Sequence, residues 1–263
     1  MNAIVTTKYG PPPDVLQLRE VATPEPTETE VLIKLYASSV NPLDGFTIRG
    51  PLFFFPKLGK LLKPKHKIAG ADFAGRVESV GRDIKRFRPG DEVFGASFRR
   101  KGLGGFAEYV CAREDSLAAK PSNLSFEEAA AVPVAAITAL QGLRDQGQIQ
   151  RGHKVLIDGA SGGVGTFAVQ IAKSFGAEVT AVCSPRNVER ARAIGADHVI
   201  DYTREDFTLR VAVRSDSWCE CPSFDFRLQA CAQQGRNLCD GRRWFCSNSP
   251  SDVCGATSIV DWQ

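Results

Sequence analysis

A glycine-rich turn near the middle of the chain constrains its fold more than any other feature. The segment GASGGVG (Gly159–Gly165) joins the strand-like run KVLID to a helical stretch that continues through Lys173. Two more strand-like runs, EVTAVC and HVIDY, are separated by a second helical segment, NVERARAIGA. Strands that alternate with helices in this way pair in parallel and are joined by right-handed crossovers. The sequence therefore predicts an α/β domain with a parallel sheet.

The glycines of the turn predict a nucleotide site. Gly162 and Gly163 allow a phosphate to approach the backbone closely, and Gly165 lets the following helix lie against the sheet. The amides at the start of the helix then hold a pyrophosphate at the positive end of the helix dipole. Glycine-rich turns also occur as plain loops, but here strand, turn, helix and second strand follow the spacing of the dinucleotide fingerprint.

The end of the second strand indicates which cofactor is bound. Sites for NAD usually place an acidic residue there to bind the ribose 2′-hydroxyl group. This chain has CSPRN (Cys183–Asn187), with no acid, a small hydroxyl and an arginine. A carboxylate would repel a 2′-phosphate, whereas Arg186 can pair with one through two hydrogen bonds. Arg186 taken alone also fits a solvated loop, but with the missing acid it favours NADPH over NADH.

The chain before the turn has the signals of β structure up to about residue 125. EVLIKLYASSV (Glu30–Val40) alternates apolar and polar positions, and short β-branched runs follow, separated by turns such as RPGDE. Ser125 then precedes a glutamate-rich first turn, an arrangement typical of a helix N-cap. We expect an alanine-rich helix from Ser125 to about Gly142.

Charge and hydropathy exclude several classes of function. A net charge of +3 on 63 charged groups gives no concentrated basic face of the kind that nucleic-acid binding requires. The N-terminus lacks the apolar core of a secretory signal, and no apolar run is long enough to span a bilayer. We expect a cytoplasmic protein with no stable membrane association and without structural disulfides.

Seven motifs together resemble one known family. They are SSVNPLDGFTIRG, IAGADFAGRVESVG, RFRPGDEVFGA, GGFAEYV, AAAVPVAAITAL, GASGGVGTFAVQIAKSFGA and ARAIGADHVIDY. In this order they resemble the zinc-independent quinone oxidoreductase and enone reductase branch of the medium-chain dehydrogenase/reductase superfamily. The resemblance implies a GroES-like catalytic domain over residues 1–125 and the first half of a Rossmann domain over residues 126–208. It also implies NADPH and a small hydrophobic quinone or carbonyl substrate in the cleft between them.

The resemblance carries site residues over one by one. Asn41, in VNPLD, resembles the asparagine near the nicotinamide and the substrate carbonyl, and Thr138, in AAITAL, resembles the threonine at the nicotinamide end of the cofactor. Structural roles are also possible for three of the matched residues. Asn41 could cap a turn, Thr138 could be an ordinary helix residue, and Tyr202, which is matched to the adenosine end of the site, could be a strand residue that packs the sheet. The remaining matches form the phosphate loop and the adenosine end of the cofactor site: Ser161, Gly162, Gly163, Val164, Gly165, Ser184, Arg186, Asn187 and Tyr202.

The same motifs argue against zinc. A catalytic zinc needs three protein ligands, commonly Cys and His, and an open position. Zinc-dependent relatives carry a cysteine where this chain has SSVNP and a His-Glu pair where it has AGADF, and FRRKGLGGF lacks the four cysteines of a structural site. Hydride transfer to a conjugated acceptor does not need a Lewis acid, because the developing charge is delocalised. A hydrogen bond between Asn41 and the acceptor, together with a proton taken from solvent, is a sufficient mechanism for this reduction.

Three consecutive phenylalanines follow the Asn41 motif, in GPLFFFPKLGKLL (Gly50–Leu62). They predict an apolar wall for a flat hydrophobic substrate. Basic residues beside aromatic ones also fit a segment that touches a membrane surface. Packing of at least one phenylalanine in the core is a third possibility.

The last 55 residues have a different composition from the rest. They contain six of the eight cysteines, all three tryptophans and no lysine, although twelve lysines precede them. The cysteine spacings include no CxxC, so a metal- or redox-binding tail is the weaker alternative. We expect residues 209–263 to be disordered and to derive from a shifted reading frame, which would leave the Rossmann domain truncated, the edge of its first strand exposed and catalysis impaired. A complete family member could form a homodimer.

Overall fold

The structure of the protein is a computed structural model, which describes residues 1–50, 64, 67–97, 104–206 and 228–231. The chain divides into two compact units, Met1–Val134 and Ala135–Gln263. Phe53–Phe55 lie outside the described residues, as does the tail except for one short strand. The predictions of an apolar wall and of a disordered, frame-shifted tail therefore stay predictions.

The first unit is built from antiparallel strands. Their bounds are Asn2–Thr6 (β1), Leu16–Glu20 (β2), Glu30–Ser38 (β3), Asp72–Val80 (β4), Glu92–Ala96 (β5), Tyr109–Arg113 (β6) and Leu117–Ala119 (β7). β1 and β2 pair with each other, and the other five form a sheet in the order β6-β3-β4-β5-β7. The predicted β-rich domain is therefore confirmed.

The core of this unit lies against the central strands β3 and β4. The side chains of Val31, Ile33, Phe73 and Val93 are fully buried there. The alternation predicted for β3 appears only after Ile33, because Glu30–Ile33 are all buried. Burial of such apolar side chains is the main favourable contribution to folding, about 1.5–3 kcal/mol for each.

The helices of the chain are short. Their bounds are Pro12–Val15 (α1), Pro42–Arg49 (α2), Phe126–Ala130 (α3), Pro133–Leu140 (α4), Gly163–Ser174 (α5) and Val188–Ala193 (α6). One π-helical turn, Gln141–Gln146, continues α4. Among the described residues, no helix has the length and apolar character needed to cross a bilayer.

The helix predicted from Ser125 begins as expected but does not run unbroken to Gly142. The Ser125 hydroxyl accepts the N–H of Glu128 at 3.1 Å, and the Glu128 carboxylate accepts the N–H of Ser125 at 2.8 Å, which confirms the N-cap. The prediction of one continuous helix was wrong, because α3 ends at Ala130 and α4 starts at Pro133. Proline lacks an N–H and disfavours helical backbone in the residue before it, so it starts a new helix.

The second unit contains the predicted parallel sheet. Its strands are Lys154–Asp158 (β8), Glu178–Cys183 (β9), His198–Asp201 (β10) and Leu228–Cys231 (β11). β8, β9 and β10 run parallel, and the spatial order is β10-β9-β8-β11. Buried Val155, Ile157, Val179 and Ala181 form its core with the apolar face of α5, including Val169. Together the two units confirm the predicted fold class.

One expectation about this sheet was wrong. The sequence predicts that the edge of β8 is left exposed and that the tail cannot easily replace a strand there, because its apolar residues follow no sustained strand period and Pro222 and Pro250 interrupt it. In the structure, β11 pairs antiparallel with β8, with Leu228 opposite Ile157 and Cys231 opposite Lys154. β11 is only four residues long, so its ladder with β8 does not require the sustained apolar period that the tail lacks.

Candidate cofactor and active site

Three strand ends bring most of the predicted cofactor-binding residues to one edge of the parallel sheet. Asp158 is in register with Val182, and Cys183 with Asp201, so β8, β9 and β10 all end at this edge. The glycine turn follows β8, Ser184–Asn187 follow β9, and Tyr202 follows β10. Ligands of open α/β sheets bind outside the carboxyl ends of the strands.

The glycine turn is built by close contacts between backbone atoms. Gly159 has a φ of +69°, which favours glycine, and the Ala160 N–H donates to the Val182 carbonyl at 3.1 Å. A Cβ atom on Gly165 would overlap the Gly159 carbonyl oxygen and would lie 2.7 Å from the Cα atom of Ala160. Helix α5 therefore starts in direct contact with the turn, which only a glycine at position 165 permits.

The start of α5 presents a bare backbone surface. Gly162 and Gly163 are exposed, and a Cβ atom on Gly163 would meet only the Ala135 Cβ, at 3.9 Å. The first amides of an α-helix have no acceptor within the helix. Ser161 and Val164 are half-buried beside these glycines. The residues present therefore fit a dinucleotide pyrophosphate, which the predicted turn residues Ser161–Gly165 would hold through backbone amides.

The segment after β9 combines two mutually bonded residues with one free arginine. The Asn187 side-chain amide donates to the Ser184 hydroxyl at 2.9 Å, and the Asn187 N–H donates to the Ser184 carbonyl at 2.9 Å. Arg186 is exposed between them, and within the described part of the chain no carboxylate pairs with its guanidinium group. Tyr202 is 54% exposed, so it does not pack the sheet. Arg186 and Tyr202 are thus available to a ligand.

Asp201, the acid in register with Cys183 at the end of β9, is held by its own turn. Asp201 accepts the N–H of Thr203 at 2.9 Å and the hydroxyl of Thr203 at 2.7 Å. It therefore does not take the place of the acid missing from β9. Burial, with a smaller effect of the Asp201 charge, raises the pKa of the Cys183 thiol, which makes this cysteine unreactive.

In the first unit, Asn41 is bound to a buried carboxylate that the sequence did not single out. Asn41 is the N-cap residue of α2, and its side-chain Nδ2 donates to the Asp72 carboxylate at 3.1 Å and to the Ser39 hydroxyl at 3.2 Å. The Ser39 hydroxyl donates to the same Asp72 oxygen, at 3.2 Å. The Val134 N–H, in the first turn of α4, donates to both Asp72 oxygens at 3.1 and 3.2 Å.

A second buried carboxylate holds the backbone around Asn41. Asp44 accepts the N–H of Asn41 at 2.7 Å and the N–H of Ala71 at 3.1 Å. Asp44 thereby ties the start of α2 to the residue that precedes Asp72. Asp44 is 1% exposed and Asp72 is fully buried, so both carboxylates rely on these donors in place of water.

Burial controls the ionisation of this pair. Desolvation raises the pKa of Asp72 to about 6, against the lowering effect of hydrogen bonds from Asn41, Val134 and Ser39. Desolvation also raises the pKa of Asp44, against the hydrogen bonds from the Asn41 and Ala71 amides. The charge of Asp44 adds a smaller raising effect on Asp72. A carboxyl group with a pKa near neutrality is typical of functional sites.

Sequence signals for these two acids did exist. NPLD, with an acid three residues after an asparagine and a proline between them, is a helix-start pattern in which Asp44 would accept the Asn41 amide. Asp72 is the lone acid in the apolar run IAGADFAG, and an isolated charge in a buried strand needs partners. Thr138, the other predicted catalytic residue, is half-buried on α4, one helical turn after Val134.

The residues of this site do not fit a zinc ion. Neither a thiolate nor an imidazole contacts Asp72 in the described structure, and its oxygens already accept the hydrogen bonds given above. Among the residues that can be described, no group of three or more His, Cys, Asp or Glu side chains is arranged to hold a metal. The donor set is one of hydroxyl, amide and carboxylate groups.

Two family models match the chain. The Alcohol dehydrogenase GroES-like domain matches residues 27–122, and Zinc-binding dehydrogenase matches residues 163–235. The second match extends past residue 208, where the sequence was expected to leave the family pattern. It also includes β11, the strand that covers the edge of β8.

Individual proteins are similar over the same part of the chain. The 2-methylene-furan-3-one reductase of Solanum lycopersicum is 41% identical over 218 residues, which is 79% of this chain and 53% of that protein. The solved quinone oxidoreductase of Coxiella burnetii is 39% identical, with a TM-score of 0.71, covering 82% of this chain and 67% of that one.

A second similar solved structure contains a cofactor. It is the Escherichia coli quinone oxidoreductase complexed with NADPH, 30% identical with a TM-score of 0.68, covering 80% of this chain and 61% of that one. The chain spans between 46% and 62% of the lengths of the curated relatives compared. These matches agree with the two sheets and the glycine turn. The chain belongs to the medium-chain dehydrogenase/reductase superfamily, in its quinone oxidoreductase and enone reductase branch.

Proposed function

We propose that this protein transfers a hydride from NADPH to a quinone or an α,β-unsaturated carbonyl compound, without zinc. The observation that carries the proposal is the bare backbone surface at Gly162 and Gly163, at the sheet edge that also bears Arg186 and Tyr202. Relatives named as quinone oxidoreductases and as a furanone reductase support this class of acceptor.

NADPH rather than NADH is favoured by charge. Arg186 is exposed and unpaired within the described residues, and no acid ends β9. A guanidinium group can bind the 2′-phosphate of NADPH through paired hydrogen bonds, whereas it has no special partner in the ribose hydroxyl of NADH. The Escherichia coli relative, whose structure contains NADPH, supports this choice.

The residues of this chain would bind and orient the reactants. The reduced nicotinamide supplies the hydride when it is bound. The amides of the glycine turn would hold the pyrophosphate. Asn41, whose Nδ2 group already donates to Asp72 and Ser39, would accept a hydrogen bond from the reactants through its amide oxygen, and Thr138 would contact the nicotinamide end of the cofactor. A proton from solvent completes the reduction, and correct orientation accounts for most of the rate enhancement.

A zinc-independent reaction is supported by the donor set around Asp72. That carboxylate accepts hydrogen bonds from the Asn41 amide, the Ser39 hydroxyl and the Val134 N–H, and none of these groups is a thiolate or an imidazole of the kind that commonly binds catalytic zinc. A conjugated acceptor delocalises the charge that develops on hydride transfer. We also propose that the protein acts in the cytoplasm on a small hydrophobic substrate, and that a complete family member can form a homodimer.

The test is the oxidation of NADPH by a quinone in the presence of the purified full-length chain. We expect turnover with a benzoquinone or a conjugated enone, a higher kcat/KM with NADPH than with NADH, and no loss of rate on dialysis against a metal chelator. A protein that binds NADPH but reduces neither acceptor class would refute the proposed reaction. Stoichiometric zinc in the purified protein would refute the zinc-independent mechanism.

A further inference from the structure

The amide group of Asn41 lies against two hydrogen-bond acceptors that are themselves bonded to each other. Its Nδ2 atom is 3.1 Å from the Asp72 oxygen and 3.2 Å from the Ser39 oxygen. The Ser39 hydroxyl uses its hydrogen to bind the same Asp72 oxygen, at 3.2 Å. Both neighbours of Nδ2 therefore present lone pairs to it.

The side-chain amide of Asn41 has almost the same shape when its nitrogen and oxygen exchange places, but these neighbours accept only the nitrogen. If the amide of Asn41 were rotated by half a turn, its oxygen would face the carboxylate oxygen of Asp72 and the lone pairs of Ser39. A carboxylate only accepts hydrogen bonds, so the rotated amide would lose two of them. Asp72 is fully buried, so water could not replace the bond to its carboxylate.

We propose that Asp72 is a positioning residue for Asn41: its carboxylate, with the hydroxyl of Ser39, holds the amide nitrogen and so sets the direction of the amide oxygen. Asp72 itself is held in place by the Val134 N–H, which binds both of its oxygens. The backbone of Asn41 is held separately by Asp44, at 2.7 Å. Main chain and side chain of Asn41 are thus oriented by two different acids.

Protonation of Asp72 would remove this constraint on the Asn41 amide. A protonated Asp72 can donate a hydrogen bond, so it no longer excludes the rotated amide. Asp44, on α2, is the titratable group that acts electrostatically on Asp72, while the other groups in contact with it are the Ser39 hydroxyl, the Asn41 amide and the Val134 N–H. The direction of the Asn41 amide should therefore depend on pH.

The direct test is the nuclear magnetic resonance signal of the Asn41 side-chain amide in the full-length chain without ligands. Loss of the signal in Asn41→Ala assigns it. In the wild type we expect the amide protons to be shifted downfield by the carboxylate, and in Asp72→Asn we expect this shift to disappear. Asp44→Asn is the matched control, because it removes a buried acid that contacts only the backbone of Asn41, and it should leave the shift in place. An unchanged Asn41 signal in Asp72→Asn overturns the proposal.

A titration of the wild type keeps the test independent of the folding of Asp72→Asn. The Asn41 signal should move in a single transition between about pH 7 and about pH 5, the range in which a buried carboxyl of raised pKa takes up its proton. A signal that stays constant over this range while the protein remains folded overturns the proposal.

The effect on turnover rests on the function proposed above and is measured separately. We expect Asp72→Asn to lower kcat by about 10- to 100-fold through misorientation of Asn41, with little change in KM. In an Asn41→Ala background, Asp72→Asn should cause no further loss, whereas additive losses would contradict action through Asn41. If the wild type reduces no quinone or enone, the proposed function fails, and the amide signal still decides the role of Asp72.

Discussion

A Cβ atom placed on Gly165 would overlap the carbonyl oxygen of Gly159, six residues earlier. Gly159 directly follows β8, and Gly165 lies in the first turn of α5. Their contact sets how closely the start of the helix approaches the end of the strand. The amides that are predicted to bind pyrophosphate are positioned by this contact.

The first prediction concerns the stability of the turn. Gly165→Ala should lower the free energy of unfolding by about 1–3 kcal/mol, because the added methyl group forces backbone atoms apart in a packed region. Denaturation by urea measures this. Gly163→Ala is the matched control, since its Cβ atom would have 3.9 Å to its nearest neighbour. Equal stability of the two variants would show that the contact does not constrain the turn.

The second prediction uses that control variant in a binding experiment. Gly163→Ala should fold normally but bind NADPH about tenfold more weakly, because its methyl group occupies the surface that a phosphate approaches. Titration of NADPH fluorescence measures the Kd. An unchanged Kd would place the pyrophosphate elsewhere.

The third prediction separates the two cofactors. Arg186→Glu should raise the Kd for NADPH by about 10- to 100-fold, because a carboxylate repels the 2′-phosphate. The Kd for NADH should change much less, and fluorescence titration measures both. Arg190→Glu is the control for the change in charge, since Arg190 is also exposed and follows one helical turn later. Equal losses for NADPH and NADH in Arg186→Glu would refute the role of Arg186.

The fourth prediction concerns the start of α3. Ser125→Ala should destabilise the protein by about 1 kcal/mol, because the N–H of Glu128 loses its acceptor. Ser122→Ala removes an exposed hydroxyl three residues earlier and should have almost no effect. Thermal unfolding of the two variants side by side checks this, and a larger loss for Ser122→Ala would contradict the capping role.

The fifth prediction is a pH dependence of stability. The pKa of Asp72 is raised from 3.8 to about 6 in the folded protein, so the folded state binds a proton more tightly than the unfolded state. Protonation therefore stabilises the fold. The contribution is fully present below about pH 4 and is lost as the pH rises through about 6, with a total of about 3 kcal/mol.

Asp72→Asn isolates this contribution from the other titrating groups. As the pH rises from about 4 to about 6, the wild type should lose stability relative to Asp72→Asn, because the asparagine does not titrate. Above about pH 7 the difference should stay constant. Parallel stability profiles for the two proteins would mean that Asp72 titrates at its ordinary pKa.

Local patterns were sufficient to predict much of this fold. KVLID and EVTAVC form β8 and β9 over the lengths expected, because buried parallel strands are short continuous apolar runs. The contacts of Asp72 could not be predicted in the same way. Its partners Asn41 and Val134 are 31 and 62 residues away along the chain, and no local pattern specifies such pairs.

The break between α3 and α4 shows a different limit. Val132 and Pro133 stand inside an alanine-rich segment whose composition favours helix, and the prediction followed composition. The structure follows the backbone chemistry of proline instead. Because α4 starts at Pro133, the N–H of Val134 lies in its first turn, where helix N–H groups have no acceptor within the helix, and it donates to Asp72. The break in the predicted helix therefore places a donor at a site that was not predicted.

The direction of β11 determines where the chain re-enters the sheet. Because β11 runs opposite to β8, it starts beside Ile157, close to where β8 leads into the glycine turn. β10 also ends at this edge, and because β11 runs antiparallel to the other three strands, the handedness rule for parallel crossovers does not apply to this connection. A chain that arrived in the parallel direction would have begun its strand at the far edge, away from Gly159. Leu228 is instead delivered to the side of the sheet where the nucleotide turn lies.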